Sequence, residues 1–150
     1  MKPIRIQRGA IAVELGIILM PLFILTLGVT EIGRAIYQYN TVIKSTRDAV
    51  RFLSGQGAGD PADITVARCL AVYGNKTCTG PTLLPNLATA MVSVCDSFSC
   101  AANHLNQPTG SGVVNLVTVT TTGYPFKSLA PFFVPDIAFG PISTTMRQVL

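Results

Sequence analysis

The side chains in this sequence that can do chemistry are few: four cysteines, one histidine and seven carboxylates among 150 residues. No cysteine pair has the C-x-x-C spacing that offers two thiolates to one tetrahedral ion, and His104 alone cannot complete such a set, so no metal site is expected. Cys69, Cys78, Cys95 and Cys100 form an even set that admits three connectivities. Of these we expect the local one, Cys69 with Cys78 and Cys95 with Cys100, each bond contributing about 2 to 3 kcal/mol. His104 lies in AANHLNQPTG, which reads as a polar hairpin loop with a solvated imidazole. The acids are scattered, and neither a glycine-rich phosphate cradle nor a nucleophile elbow occurs. The expectation is a protein that is not an enzyme and carries no cofactor.

One acid stands where an acid is expensive. Glu14 is the only charged residue from Ala10 to Thr30, an apolar run in which an ionised carboxylate costs several kcal/mol. About 21 residues at about 1.5 Å each give a helix of about 31 Å, enough to cross a bilayer core. The hydrophobic excess behind the mean hydropathy of +0.47 is concentrated in that run. Lys2, Arg5 and Arg8 precede it with no acid among them, which predicts a cytoplasmic N-terminus and a translocated C-terminal part. A secretory signal peptide is the rival reading. The run is longer than the usual apolar region of about 7 to 15 residues and no small-x-small site closes it, so retention as an anchor is expected. The three leader cations supply three of the four net positive charges, leaving +1 from Ala10 onward (four less three). A nucleic-acid surface is therefore not expected.

Beyond the span the sequence becomes amphipathic without a helix breaker. Val29, Ile36, Ile43 and Val50 recur every seven residues, with Ile32, Tyr39 and Leu53 on a neighbouring row interrupted by Thr46. This predicts one helix over residues 10–54, kinked or not at Pro21, whose outer stripe packs on the chain's own C-terminal domain, with packing against neighbouring subunits compatible with that. Glu31 with Arg34, and Lys44 with Asp48, are expected as pairs on its polar side. SGQGAGDP ends the helix. The remaining segment, 55–150, predicts a small disulfide-containing domain. DPADITVARCLAVYG reads as a short helix capped by Asp60 and ended at Gly74. ATAMVSVCDS, VVNLVTVTTTG and DIAFGPISTTMRQVL read as three antiparallel strands. The fold class is α+β: a long transmembrane helix that extends into a small extracytoplasmic domain.

RGAIAVE resembles the processing site of type IV pilins and pseudopilins, a basic leader (1–9) ending in Gly9 with a glutamate at the fifth position after it. RGAIAVELGIILMPLFILTLGVTEIGRAIYQYN and TRDAVRFLSG are similar to the TadE-like family of tight-adherence (Flp) pilus assembly proteins, as are ARCLAVYGN, LLPNL, VTVTTTGYPFKSLAPFF and STTMRQ. The resemblance implies a minor pilin or pseudopilin of the bacterial inner membrane, with its C-terminal domain periplasmic or extracellular. It implies cleavage after Gly9 by a prepilin peptidase, a new amine at Ala10, and an assembly role for Glu14 opposite that amine on a neighbouring subunit. The implied partners are the peptidase, other pilins and pseudopilins, and inner-membrane assembly proteins, in a homo- or hetero-oligomer. A headgroup-level residue without specific work is the alternative for Glu14. Arg47 and Arg51 resemble the family's recurrent arginines before the helix end; partner binding and a favourable place at a helix C-terminus both account for them. In YPF, Pro125 reads as a strand terminator; LAPFFVP reads as a loop packed on the domain or the membrane surface, with an exposed docking patch as the alternative. An uncleaved anchored binding domain is the rival for the whole chain.

Overall fold

The computed structural model describes residues 8–132 and 134–149. Lys2 and Arg5, on which the expected orientation partly rests, lie outside them. Helix α1, Arg8–Ser54, is 47 residues long, about 70 Å at about 1.5 Å per residue, and runs unbroken through Pro21. Residues 11–27 are exposed along its whole circumference. In this stretch Thr26 directs its hydroxyl to the carbonyls of Leu22 and Phe23, and Thr30 bonds the carbonyl of Thr26. Hydroxyls satisfied within the helix suit a non-aqueous setting, where an unpaired polar group is costly.

Helix α2, Pro61–Tyr73, starts and stops where its residues require. The Asp60 carboxylate accepts the Ala62 N–H, proline holds the first helical position, and Gly74 takes the left-handed conformation (φ 71°) while donating to the Leu70 carbonyl. A sheet follows, built around its longest strand. Strand β1 (Val92–Cys95), the one-turn helix α3 (Ala101–His104) and strand β2 (Gln107–Thr109) lead into β3 (Gly112–Thr121). Strands β4 (Pro125–Phe126) and β5 (Ile137–Ala138) form a two-stranded ribbon, and β6 (Ile142–Gln148) returns along β3. Pairing is antiparallel throughout: Val92 opposite Thr121, Gln107 opposite Val114, and Ile142 opposite Thr121.

Alternation along β3 sends Val117, Val119 and Thr121 inward. They meet Val42, Ala49, Val50 and Leu53 of α1 and Ala67, Ala71 and Val72 of α2 in one core. The three long strands thus stand where the Val- and Thr-rich runs predict. The segment read as a polar loop instead forms α3 and β2. The β3 ladder stops at Thr121, followed by Gly123 with φ 68°, and Pro125 opens β4 rather than ending β3.

The outer stripe of α1 is placed differently from its sequence pattern. Val42, Ala49, Val50 and Leu53 are buried, but Val29, Ile32 and Ile36 are exposed, and Glu31 and Gln38 are buried in their stead. Below residue 40 the helix faces the segment around β4 and β5 rather than the main sheet, and Glu31, Arg34 and Gln38 meet its hydroxyl and backbone groups while Tyr39 meets the Phe139 ring. Glu31 and Arg34 do pair, at 2.9 Å, but against this loop rather than in solvent. Lys44 and Asp48 form no ion pair among the described residues; they line a groove of about 570 Å³ with Tyr37, Thr41, Ser45, Leu70, Gly74 and Leu83.

Candidate functional site

The segment that resembles a processing site begins in the first turn of α1. Gly9 is exposed, and no atom would lie within 4 Å of a Cβ built on it. Glu14 is exposed on the apolar half. Arg47 and Arg51 are exposed on the far half, with Arg51 in the last turn. Thirty-three residues separate Glu14 from Arg47, about 50 Å along the axis, so one subunit does not bring them together.

What the structure does bring together is a polar junction where α1 leaves its apolar run. The Glu31 carboxylate accepts from Arg34 Nε at 3.3 Å, Arg34 Nη2 at 2.9 Å, Ser128 Oγ at 3.1 Å and the Leu129 N–H at 3.1 Å. Arg34 also donates to the Lys127 carbonyl, and its guanidinium lies 4.6 Å from the centroid of the Phe126 ring. One turn further on, the buried Tyr124 hydroxyl lies 3.1 Å from both Gln38 Oε1 and the Pro85 carbonyl. Burial pushes this phenol above its ordinary 10.0 although the Arg34 charge opposes the shift. At the neck of the loop Lys127 Nζ donates to Asp136 at 2.6 Å and the Ser128 N–H to its other oxygen at 2.9 Å. These bonds, Lys127's first, hold the Asp136 carboxyl below its ordinary value.

A second polar centre closes the opposite end of the domain. Asp96 is almost wholly buried and accepts the N–H groups of Gly59, Phe98 and Ser99 together with the Ser99 hydroxyl. Burial works against its ionisation, but the four donors outweigh it and the carboxyl is held below its ordinary value. The bond to Gly59 fastens the linker after α1 to the loop after β1. Neither Asp96 nor the Tyr124–Gln38 contact is foreseen by the sequence reading. Asp96 with Ser99 three residues on is the local signal of a side-chain-closed turn that could have revealed the first.

The disulfides join Cys69 to Cys78 and Cys95 to Cys100. His104 departs from its expected place: it is half-buried, with Nε2 2.8 Å from Thr118 Oγ1 and Nδ1 3.9 Å from Cys95 Sγ. Cys95, Cys100 and His104 lie within 4.8 Å of one another. With both sulfurs committed to the disulfide this cluster has no thiolate to offer, so it is a packing contact over the sheet's outer face.

The long exposed apolar helix, the short second helix and the antiparallel sheet define an α+β protein with one helix able to anchor it in a membrane. Residues 9–51 match the family model described as TadE-like protein, in agreement with the resemblance of this segment in sequence. The match follows α1 from Gly9 to Arg51 and stops before α2, so ARCLAVYGN, LLPNL and the strand motifs lie beyond it. No curated protein and no solved structure matches the chain.

Proposed function

We propose that the chain is a minor pilin or pseudopilin that acts in assembly of a tight-adherence (Flp, type IVb) pilus and secretion system and has no catalytic chemistry of its own. The observation that carries this is the disposition of Gly9 and Glu14 on a TadE-like helix. The glycine is exposed in the first described turn, and the glutamate follows at the fifth position on an otherwise uncharged surface. Cleavage after Gly9 by a prepilin peptidase creates an amine at Ala10. Among parallel helices that amine pairs with Glu14 of a neighbour, an attraction that grows as both groups leave water while their desolvation opposes it. The leader cations favour an N-terminus in the cytoplasm and a domain on the periplasmic face of the inner membrane. The partners are then the peptidase, other pilins and pseudopilins, and inner-membrane assembly proteins. Exposed Arg47 and Arg51, about 50 Å from Glu14, are available to a neighbouring subunit at the outer end.

The test is the intact mass and N-terminal sequence of the membrane-extracted chain, with and without the host's prepilin peptidase. A peptidase-dependent start at Ala10, blocked by replacing Gly9 with a bulky residue, is the expected result. A chain that begins at Met1 in both hosts leaves an uncleaved anchored domain and refutes the pseudopilin reading.

A further inference from the structure

The loop between β4 and β5 carries apolar side chains that the domain does not cover. Leu129 is 77% exposed and Phe132 91%, and the tip LAPFFVP contains no charged residue. Its contacts with α1 fix where the tip lies. Tyr124 meets Gln38, Phe126 and Lys127 meet Arg34, and Ser128 and Leu129 meet Glu31. The chain therefore descends α1 toward its N-terminus, past residues 38, 34 and 31, some 10 Å at about 1.5 Å per residue. It then turns, with the Val134 N–H bonded to the Ala130 carbonyl, and climbs back through Asp136 to Phe139, whose ring lies 5.5 Å from that of Tyr39. Glu31 directly follows the apolar run that ends at Thr30. The tip thus reaches the level at which α1 enters the bilayer, and the Lys127–Asp136 pair forms a charged collar just above it.

We propose that this loop is a second membrane-contact element: Leu129 and Phe132 insert into the interfacial region of the outer leaflet beside α1. The proposal rests on insertion of α1 in a membrane. Continuity with the span argues for lipid as the occupant, because the exposed apolar surface of the helix passes through Val29 and Ile32 at the same height as the tip. Apolar and aromatic side chains with a polar collar are the composition that headgroup-level segments favour. Pro131 and Pro135 fix backbone angles in the tip and lessen the entropy lost on insertion. Two contacts, helix and loop, set the tilt and rotation of the domain on the bilayer, which one helix alone leaves free.

The chain has no tryptophan, so single-tryptophan variants report position directly. The full chain is placed in phosphatidylcholine vesicles with bromine on the upper acyl carbons, as Phe132→Trp, Leu129→Trp, Phe23→Trp in the span, and Val113→Trp at the distal end of the sheet. Insertion predicts that the lipid bromines quench the emission of both loop variants, as they quench Phe23→Trp, and leave Val113→Trp unchanged. If Phe23→Trp is quenched while both loop variants behave like Val113→Trp, the loop does not enter lipid and the inference falls with the anchor intact. If Phe23→Trp is also unquenched, the anchor reading fails and the loop proposal with it. Loop emission that shifts to the blue only as protein concentration rises, without quenching, assigns the patch to a second copy and overturns the proposal.

Discussion

Replacing Glu31 with glutamine tests whether the junction holds the loop on the helix. The carboxylate is 3% exposed and serves four donor contacts, two from Arg34 and one each from Ser128 and Leu129. An amide of the same shape keeps one acceptor oxygen and turns an NH2 group toward donors, so part of this set is lost. Hydrogen bonds to a charged group contribute about 1.5 to 3 kcal/mol each, and Arg34, 27% exposed, recovers some of its loss from water. A net weakening of about 2 kcal/mol follows, which is roughly a thirtyfold rise in the open population of the loop. The core strands share no bond with Glu31, so the effect is local. Hydrogen exchange of the full chain in detergent, read on peptides spanning 124–139, should quicken by that factor while peptides of β3 and β6 stay as they are. Unchanged exchange at Leu129 would refute the view that Glu31 clamps this loop, and equal acceleration in β3 would show that the two do not open separately.

Two further outcomes concern the other end of the domain. The Asp96 pKa is depressed below its ordinary 3.8, so the stability it contributes is fully present above that value and is lost as pH falls through the lower folded pKa. Asp96→Asn should therefore lower the denaturation midpoint near pH 6 and do so less near pH 2; a deficit independent of pH in this range would contradict the assignment. Gly59 has φ 80°, and a Cβ built there would stand 2.7 Å from Phe98 Cγ, so Gly59→Ala should destabilise by about 1 to 3 kcal/mol in chemical denaturation. The companion change Phe98→Ala should recover the part due to the clash and leave the part due to backbone angle.

Much of the architecture is legible because short-range rules govern it. Asp60, Pro61 and Gly74 bound α2 by capping alone. The Val and Thr alternation of β3 needs only one buried face, and the two disulfides join the cysteines nearest in sequence. What the sequence hides is decided by partners distant along the chain. Glu31 with Arg34 looks like an ordinary surface pair at three residues' spacing, and only a loop nearly a hundred residues away makes it a buried clamp. Val29, Ile32 and Ile36 have the period of a packing stripe, but a stripe that faces lipid has the same period as one that faces protein. His104 sits among polar residues that suggest solvent, but its neighbours in space, Thr118 and Cys95, come from β3 and β1.

The polar residues buried along α1 bear on the register of the domain as much as on stability. Glu31 meets Ser128 and Leu129, Gln38 meets Tyr124, and Thr46 lies 3.2 Å from the Thr121 hydroxyl. Apolar contacts such as Val42 with the core tolerate a shift along the helix, since one methyl group serves much as another. Hydrogen bonds do not: sliding the domain by one turn, about 5.4 Å, would strand the carboxylate, the phenol and a threonine hydroxyl together. At about 1 to 3 kcal/mol for each unsatisfied buried group, the register is held by several kcal/mol beyond what packing provides. The height of the domain above Thr30 is therefore fixed to within a fraction of a turn. In the assembly proposed above, where Glu14 would pair with a neighbour's amine and the outer domain would meet neighbours some 50 Å away, the subunit would need that fixed distance. The buried polar seam of α1 supplies it.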